Sequence, residues 1–183
     1  TLCRYHVSGR LKVAPEHSSD RVLKQMRKMS FKQFVDLKKR FDQINSRYGL
    51  NQQLIPYFIS SHPACEMGDM VNLASQTAAL GYRLQQVQDF TPTPMTVSTE
   101  AWYSGIHPYT KEEVYSAKTA EEKLRQRMFF FWYKGEERAK ITAELRRIGR
   151  EDLLRRLYQD EGHKKFNKPQ PSFKPQDKKK RRR

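Results

Sequence analysis

Residues 54 to 60 read LIPYFIS, a nearly continuous apolar run with a helical pattern on either side, and this arrangement constrains the fold more than any other feature. Upstream, Ser30 and Gln33 make a capping-box pattern, after which Phe34, Leu37, Phe41, Ile44 and Tyr48 recur at three- and four-residue spacing until Gly49. Downstream, a helix is expected from Glu66 to Leu80, with Met70, Leu73, Ala74, Thr77 and Leu80 on one side and Gly81 as its stop. An apolar run of strand length between two helices suits a parallel strand covered on both faces. Pro56 runs against that reading, because a central strand cannot spare an N–H without a bulge. Two more strands are expected, a short one at residues 11 to 13 and RLQQVQDF at 83 to 90. Between the first strand and Ser30, Ser18 or Ser19 can cap a helix carrying Val22, Leu23 and Met26, with Asp20 near its positive end. Strand and helix alternating through short connections imply right-handed βαβ units and a parallel sheet. Two or three such strands cannot close a barrel.

After TPTPMT at 91 to 96 the pattern changes. The segment STEAWYSGIHPYTKEEVYSAK reads as irregular and aromatic, and helices are expected from Ala120 to Tyr133 and from Glu136 to Tyr158, broken at Gly149. The chain ends in KKFNKPQPSFKPQDKKKRRR, which holds ten Lys or Arg against one Asp and so nine of the sixteen net positive charges. Pro, Gln and like charges with almost no apolar residues cannot offset the entropy of ordering, so a disordered basic tail is expected over 161–183. Such a tail can bind polyphosphates weakly by counterion release.

Cys3 and Cys65 lie too far apart in sequence to suggest a disulfide framework, and no apolar run approaches a membrane span, so a cytoplasmic protein with no membrane partner is the simplest reading. The chain opens on TLCRYHVSG, already close to a strand-like segment and without an initiator Met or a signal peptide, as in a piece of a longer protein. No Ser-His-Asp arrangement, P-loop or Rossmann glycine pattern is visible.

Glu16, His17 and Ser18 place an acid, an imidazole and a hydroxyl between the first strand and its helix. Strand ends of that kind are where α/β folds keep ligand-handling side chains. The alternative is an ordinary turn in which Ser18 caps the helix and Glu16 is solvated. Four segments, LKVAPEHSSDRVLKQMRK, QQLIPYFISSHPACEMGDM, QVQDFTPTPMT and KLRQRMFFFWYKGEERAKITAELRRIGREDLLRRLY, resemble the C-terminal part of YgiQ-type radical SAM proteins. KVAPEH and DFTPTPMT are the most specific of these.

The resemblance implies an α/β fold: a partial parallel (β/α) barrel fragment at 1–97, a small mainly helical family-specific extension at 98–160, and the basic tail. It implies S-adenosylmethionine and one [4Fe–4S] cluster as cofactors of the full-length protein, and the N-terminal part of the same protein as partner. Radical SAM enzymes hold the cluster through three thiolates at C-x3-C-x2-C spacing, and neither Cys3 nor Cys65 has that company. The cluster loop is therefore expected upstream of Thr1, with no metal held by this chain and no catalysis by the fragment alone.

By the same resemblance, Glu16, His17 and Ser18 lie against the ribose and methionine ends of S-adenosylmethionine, while Tyr57, Ser60 and His62 lie beside its adenine. Thr91, in a stretch stiffened by two prolines, would face the adenine edge. Against these stand plain structural readings: Tyr57 as core, Ser60, Ser61 and Pro63 as strand terminators, and the proline stretch as a stiff exit from the sheet. His62 and Cys65 form an H-x2-C pair, but two ligands do not make a zinc site. FFFWY at 129 to 133 is expected chiefly as core packing, with the surrounding Lys and Arg leaving an RNA-stacking surface conceivable. The rival function is a basic nucleic-acid-binding module on an α/β scaffold.

Overall fold

Local chemistry decides where most elements begin and end. In the computed structural model, which describes residues 1–85 and 87–158, Ser30 caps a helix at Phe31–Tyr48 through its hydroxyl and the Lys32 N–H at 3.3 Å. Gly49, at φ 59°, closes that helix in the left-handed conformation that glycine adopts without penalty. In chain order the elements are α1 (Leu2–Tyr5), β1 (Arg10–Glu16), α2 (Asp20–Gln25), α3 (Phe31–Tyr48), β2 (Gln53–Ser60), α4 (Met67–Ala79) and β3 (Val87–Asp89). There follow α5 (Val97–Ser104), α6 (Ala120–Arg127), a 3-10 turn (Met128–Phe131), α7 (Gly135–Arg147) and α8 (Glu151–Tyr158).

The three strands form one open parallel sheet in the order β1-β2-β3. Pro56 is tolerated in the middle strand because β3 pairs only with Phe58–Ser60, so Pro56 sits in the half of β2 that has one neighbour. Leu54, Pro56, Phe58 and Ser60 alternate inward under the helices, and Phe58 is fully buried against Phe31 and Phe34, with ring centroids 6.3 and 6.4 Å away. Gln53, Ile55, Tyr57 and Ile59 point the other way and are half-buried.

Several expectations need correction. The last strand is three residues long rather than eight, since the Tyr82–Gln85 stretch is irregular. The first residues form the short helix α1, where no element was expected, and α5 falls largely in the segment read as irregular. Tyr48, expected on the apolar stripe of α3, is exposed and packs under the Arg4 guanidinium, 4.5 Å from its ring centroid. FFFWY is a tight turn rather than part of a continuous helix. Phe129, Phe130 and Trp132 are fully buried there, in the same hydrophobic cluster as Phe58 and the α4 residues Met70 and Leu73. Those three rings are core, as expected, while Phe131 and Tyr133 are half-buried. The expected break at Gly149 stands between α7 and α8. The basic tail lies outside the described residues. No helix among the described residues is long and apolar enough to cross a membrane.

Candidate functional site at the strand carboxyl ends

The carboxyl ends of three parallel strands come together, and the polar residues there are mostly buried: His17, Ser18, Ser60, Ser61 and His62 are each less than a tenth exposed. Burying polar side chains side by side is unfavourable unless they find partners, so the hydrogen bonds define the site.

At the end of β1, the pairing register slips between Val13 and Glu16, and Glu16 takes φ 65°, a left-handed conformation disfavoured for a residue with a Cβ. Its carboxylate, 16% exposed, pairs with Lys28 Nζ at 3.2 Å. His17 Nδ1 accepts from the Ser19 N–H at 3.0 Å, which leaves the ring proton on Nε2, where it is donated to Cys65 Sγ at 3.4 Å. Burial lowers the His17 pKa from 6.5 to about 4, against an opposing pull from Asp69, and pushes the Cys65 thiol well above its ordinary range. The pair is therefore neutral thiol and neutral imidazole, unlike the thiolate of a nucleophilic cysteine. Ser18 Oγ has no partner among the described residues.

At the end of β2, Ser60 Oγ donates to Asp89 Oδ1 at 2.5 Å, and Arg127 Nη1 on α6 reaches Asp89 Oδ2 at 2.8 Å. His62 Nδ1 donates to the Pro63 carbonyl at 2.9 Å, and its Nε2 accepts from Ser98 Oγ at 3.1 Å. The ring stands edge-on to Phe90 with centroids 4.9 Å apart, and burial lowers its pKa. His62 and Cys65, paired by spacing in the sequence, thus turn to different partners. Ser61 and Ala64 both adopt positive φ, 61° and 71°, and Ser61 Oγ is a second buried hydroxyl with no partner among the described residues.

Two of the residues picked from sequence stand apart from this cluster. Tyr57 lies within β2 on the half-buried face, with Lys12 Nζ 5.8 Å from its ring centroid. Thr91 is exposed beyond β3, its hydroxyl 3.5 Å from the Asp89 carbonyl. The residues that sequence reading missed are Ser61, Asp89, Ser98, Gln126 and Arg127. Their partners are 29 to 65 residues away in the chain, beyond any local pattern.

With that geometry in view, comparison with known proteins is informative. A family described as Domain of unknown function (DUF3362) matches residues 85–179, just over half of the chain. A UPF0313 protein of Bacteroides thetaiotaomicron is 69% identical over 153 residues, 84% of this chain and 25% of its own length. The chain belongs to the UPF0313 family, the YgiQ-type radical SAM proteins. A UPF0313 protein of Porphyromonas gingivalis is 63% identical over 84% of this chain and 24% of its own, and one of Geobacter sulfurreducens 41% over 85% and 26%. The chain thus spans about a quarter of the length of these relatives. No solved structure matches it.

Proposed function

We propose that this UPF0313 chain is the C-terminal part of a cytoplasmic radical SAM enzyme and supplies strand ends that meet S-adenosylmethionine. The observation that carries this reading is that two of the buried hydroxyls without a partner among the described residues, Ser18 and Ser61, follow neighbouring strands, one of which ends at Glu16. An unsatisfied buried hydroxyl is unfavourable by about 1–3 kcal/mol, so two at one place call for a polar ligand, ordered water or further chain. Ribose hydroxyls and an amino-acid ammonium fit that donor set: Ser18 and Ser61 can donate or accept, and Glu16 can accept once it leaves the half-exposed Lys28. Tyr57 and Lys12, on the half-buried face, would then look into the interior of a barrel completed by the rest of the protein.

The cluster does not fit this chain. Cys3 and Cys65 are both buried, Cys65 is engaged with His17, and no group of three His, Cys, Asp or Glu is placed to hold a metal among the described residues. Thiolate ligands would have to come from elsewhere in the protein. Bound S-adenosylmethionine is the source of the carbon radical in such enzymes; what this chain contributes is binding, orientation and exclusion of water at the strand ends.

The test is made on the full-length protein, reconstituted with iron and sulfide under anaerobic conditions. Glu16→Ala is expected to weaken S-adenosylmethionine binding, measured by calorimetry, by roughly ten- to a hundredfold, the range for one charge-assisted hydrogen bond, while cluster absorbance is unchanged. An unaltered Kd would return Glu16 to the standing of a turn residue. A wild-type protein that binds no S-adenosylmethionine would reject the proposed function itself.

A further inference from the structure

The loop from Ser60 to Cys65 carries a turn of its own, the Cys65 N–H donating to the His62 carbonyl at 2.9 Å, and is otherwise held from outside itself. Ser61 and Ala64 both have positive φ, and each such non-glycine residue is disfavoured by about 1–2 kcal/mol, so the conformation persists only where surrounding contacts over-determine it. His17, Asp89 and Phe90 supply some of those contacts, and residues after 97 supply the ones that grip Ser61 and Ala64. Gln126 on α6, 1% exposed, accepts from the Ser61 N–H through Oε1 at 2.8 Å and donates from Nε2 to the Cys65 carbonyl at 2.7 Å, clasping both ends of the turn. The Tyr115 carbonyl accepts from the Ala64 N–H at 2.7 Å, and Ser98 Oγ binds His62 Nε2. Next to Gln126, Arg127 ties Asp89, and through it Ser60, to the same helix.

From this arrangement we infer that the helical extension is a clamp on the strand-end site, with Gln126 as its central positioning residue. A side-chain amide is suited to the task, because it is the neutral group that can accept from one backbone N–H and donate to one backbone carbonyl at once. Both bonds are fully buried, so losing either leaves a main-chain group unsatisfied. Gln126 would act on the ligand through Ser61 and His62, without touching it. The consequence for ligand binding rests on the reading proposed above; the consequence for loop shape does not.

The experiment uses the full-length protein carrying Gln126→Met, which keeps the side-chain volume and removes both hydrogen bonds. Where that variant does not fold, Gln126→Glu, which keeps the acceptor for Ser61, takes its place. Amide exchange followed by mass spectrometry is expected to quicken about tenfold or more in the 60–66 loop while α3 and α4 keep their protection. The Kd for S-adenosylmethionine is expected to rise about tenfold with cluster absorbance unchanged, a combination that general destabilisation does not produce. Arg125→Ala, half-buried on the same helix and paired with Glu121 rather than with the loop, should change neither reading. Unchanged loop exchange in the Gln126 variant, quickened exchange with an unaltered Kd, or the same effects from Arg125→Ala would each overturn the clamp. A wild-type protein that binds no S-adenosylmethionine fails the proposed function instead, and the exchange comparison then decides by itself whether Gln126 holds the loop.

Discussion

The two faces of the sheet carry similar amino acids and meet different surroundings. On one, Leu54 and Phe58 are buried, and Leu11 and Val13 pack against the same hydrophobic cluster as α3, α4 and the 3-10 turn. On the other, Ile55, Tyr57 and Ile59 are only half-buried, and Lys12 is exposed beside them. An apolar strand face without a full covering layer is unfavourable in water, so the contrast shows where stability resides in this chain and which face remains for further contacts. The covered face is structural, and the polar strand ends lie at its rim.

The sharpest way to break that comparison is truncation on each face. Phe58→Ala should cost about 3–5 kcal/mol, the usual range for a fully buried phenylalanine, read from chemical denaturation of the full-length protein. Tyr57→Ala, one residue away on the other face, should cost well under half of that, and equal costs would mean that the two faces are equally part of the core.

A somewhat smaller effect is expected from His17 at the rim. Its pKa lies near 6.5 unfolded and about 4 folded, so between those values the unfolded chain binds more protons and stability increases with pH. The contribution is complete above pH 6.5 and is lost as pH falls towards 4, amounting to roughly 3 kcal/mol. His17→Gln should flatten stability across that window when denaturation is repeated from pH 4 to 7; an unchanged slope would mean that His17 is not held neutral by burial.

Asp89→Asn tests the tie between sheet and extension. It removes the charge that Arg127 meets while keeping an acceptor for Ser60, and about 1–2 kcal/mol of stability should be lost, less at high salt. The smallest effect belongs to the face with less cover. Tyr57→Phe should change stability by no more than about 0.5 kcal/mol, as for a partly exposed position outside the core, and a thermal shift of several degrees would show that its hydroxyl matters to the fold.

How much could be read in advance varied with the distance over which each residue acts. The capped helix beginning after Ser30, its stop at Gly49 and the break at Gly149 depend on contacts within a few residues, so their positions were legible from one sequence. β3 was overestimated because RLQQVQDF has strand composition, yet only Val87–Asp89 find a partner on β2. Glu16, His17, Ser18, Ser60 and His62 were legible as strand-end residues, since the switch from strand to helix marks such places. Their surroundings were not. His17 could as well have been a solvated turn residue as the buried partner of Cys65, 48 positions away.

By itself, then, the sequence determined the order and type of most elements, the parallel sheet and some of the polar residues at its carboxyl ends, because helix caps, apolar periods and turn residues act locally. Only the tertiary structure decided which face of the sheet is covered and who satisfies those polar groups. Gln126 reaches Ser61 across 65 residues, and Arg127 reaches Asp89 across 38. A hydrogen bond over such a span leaves no periodic trace in the chain; it exists because packing of the buried Phe129, Phe130 and Trp132 into the core brings α6 against the strand ends.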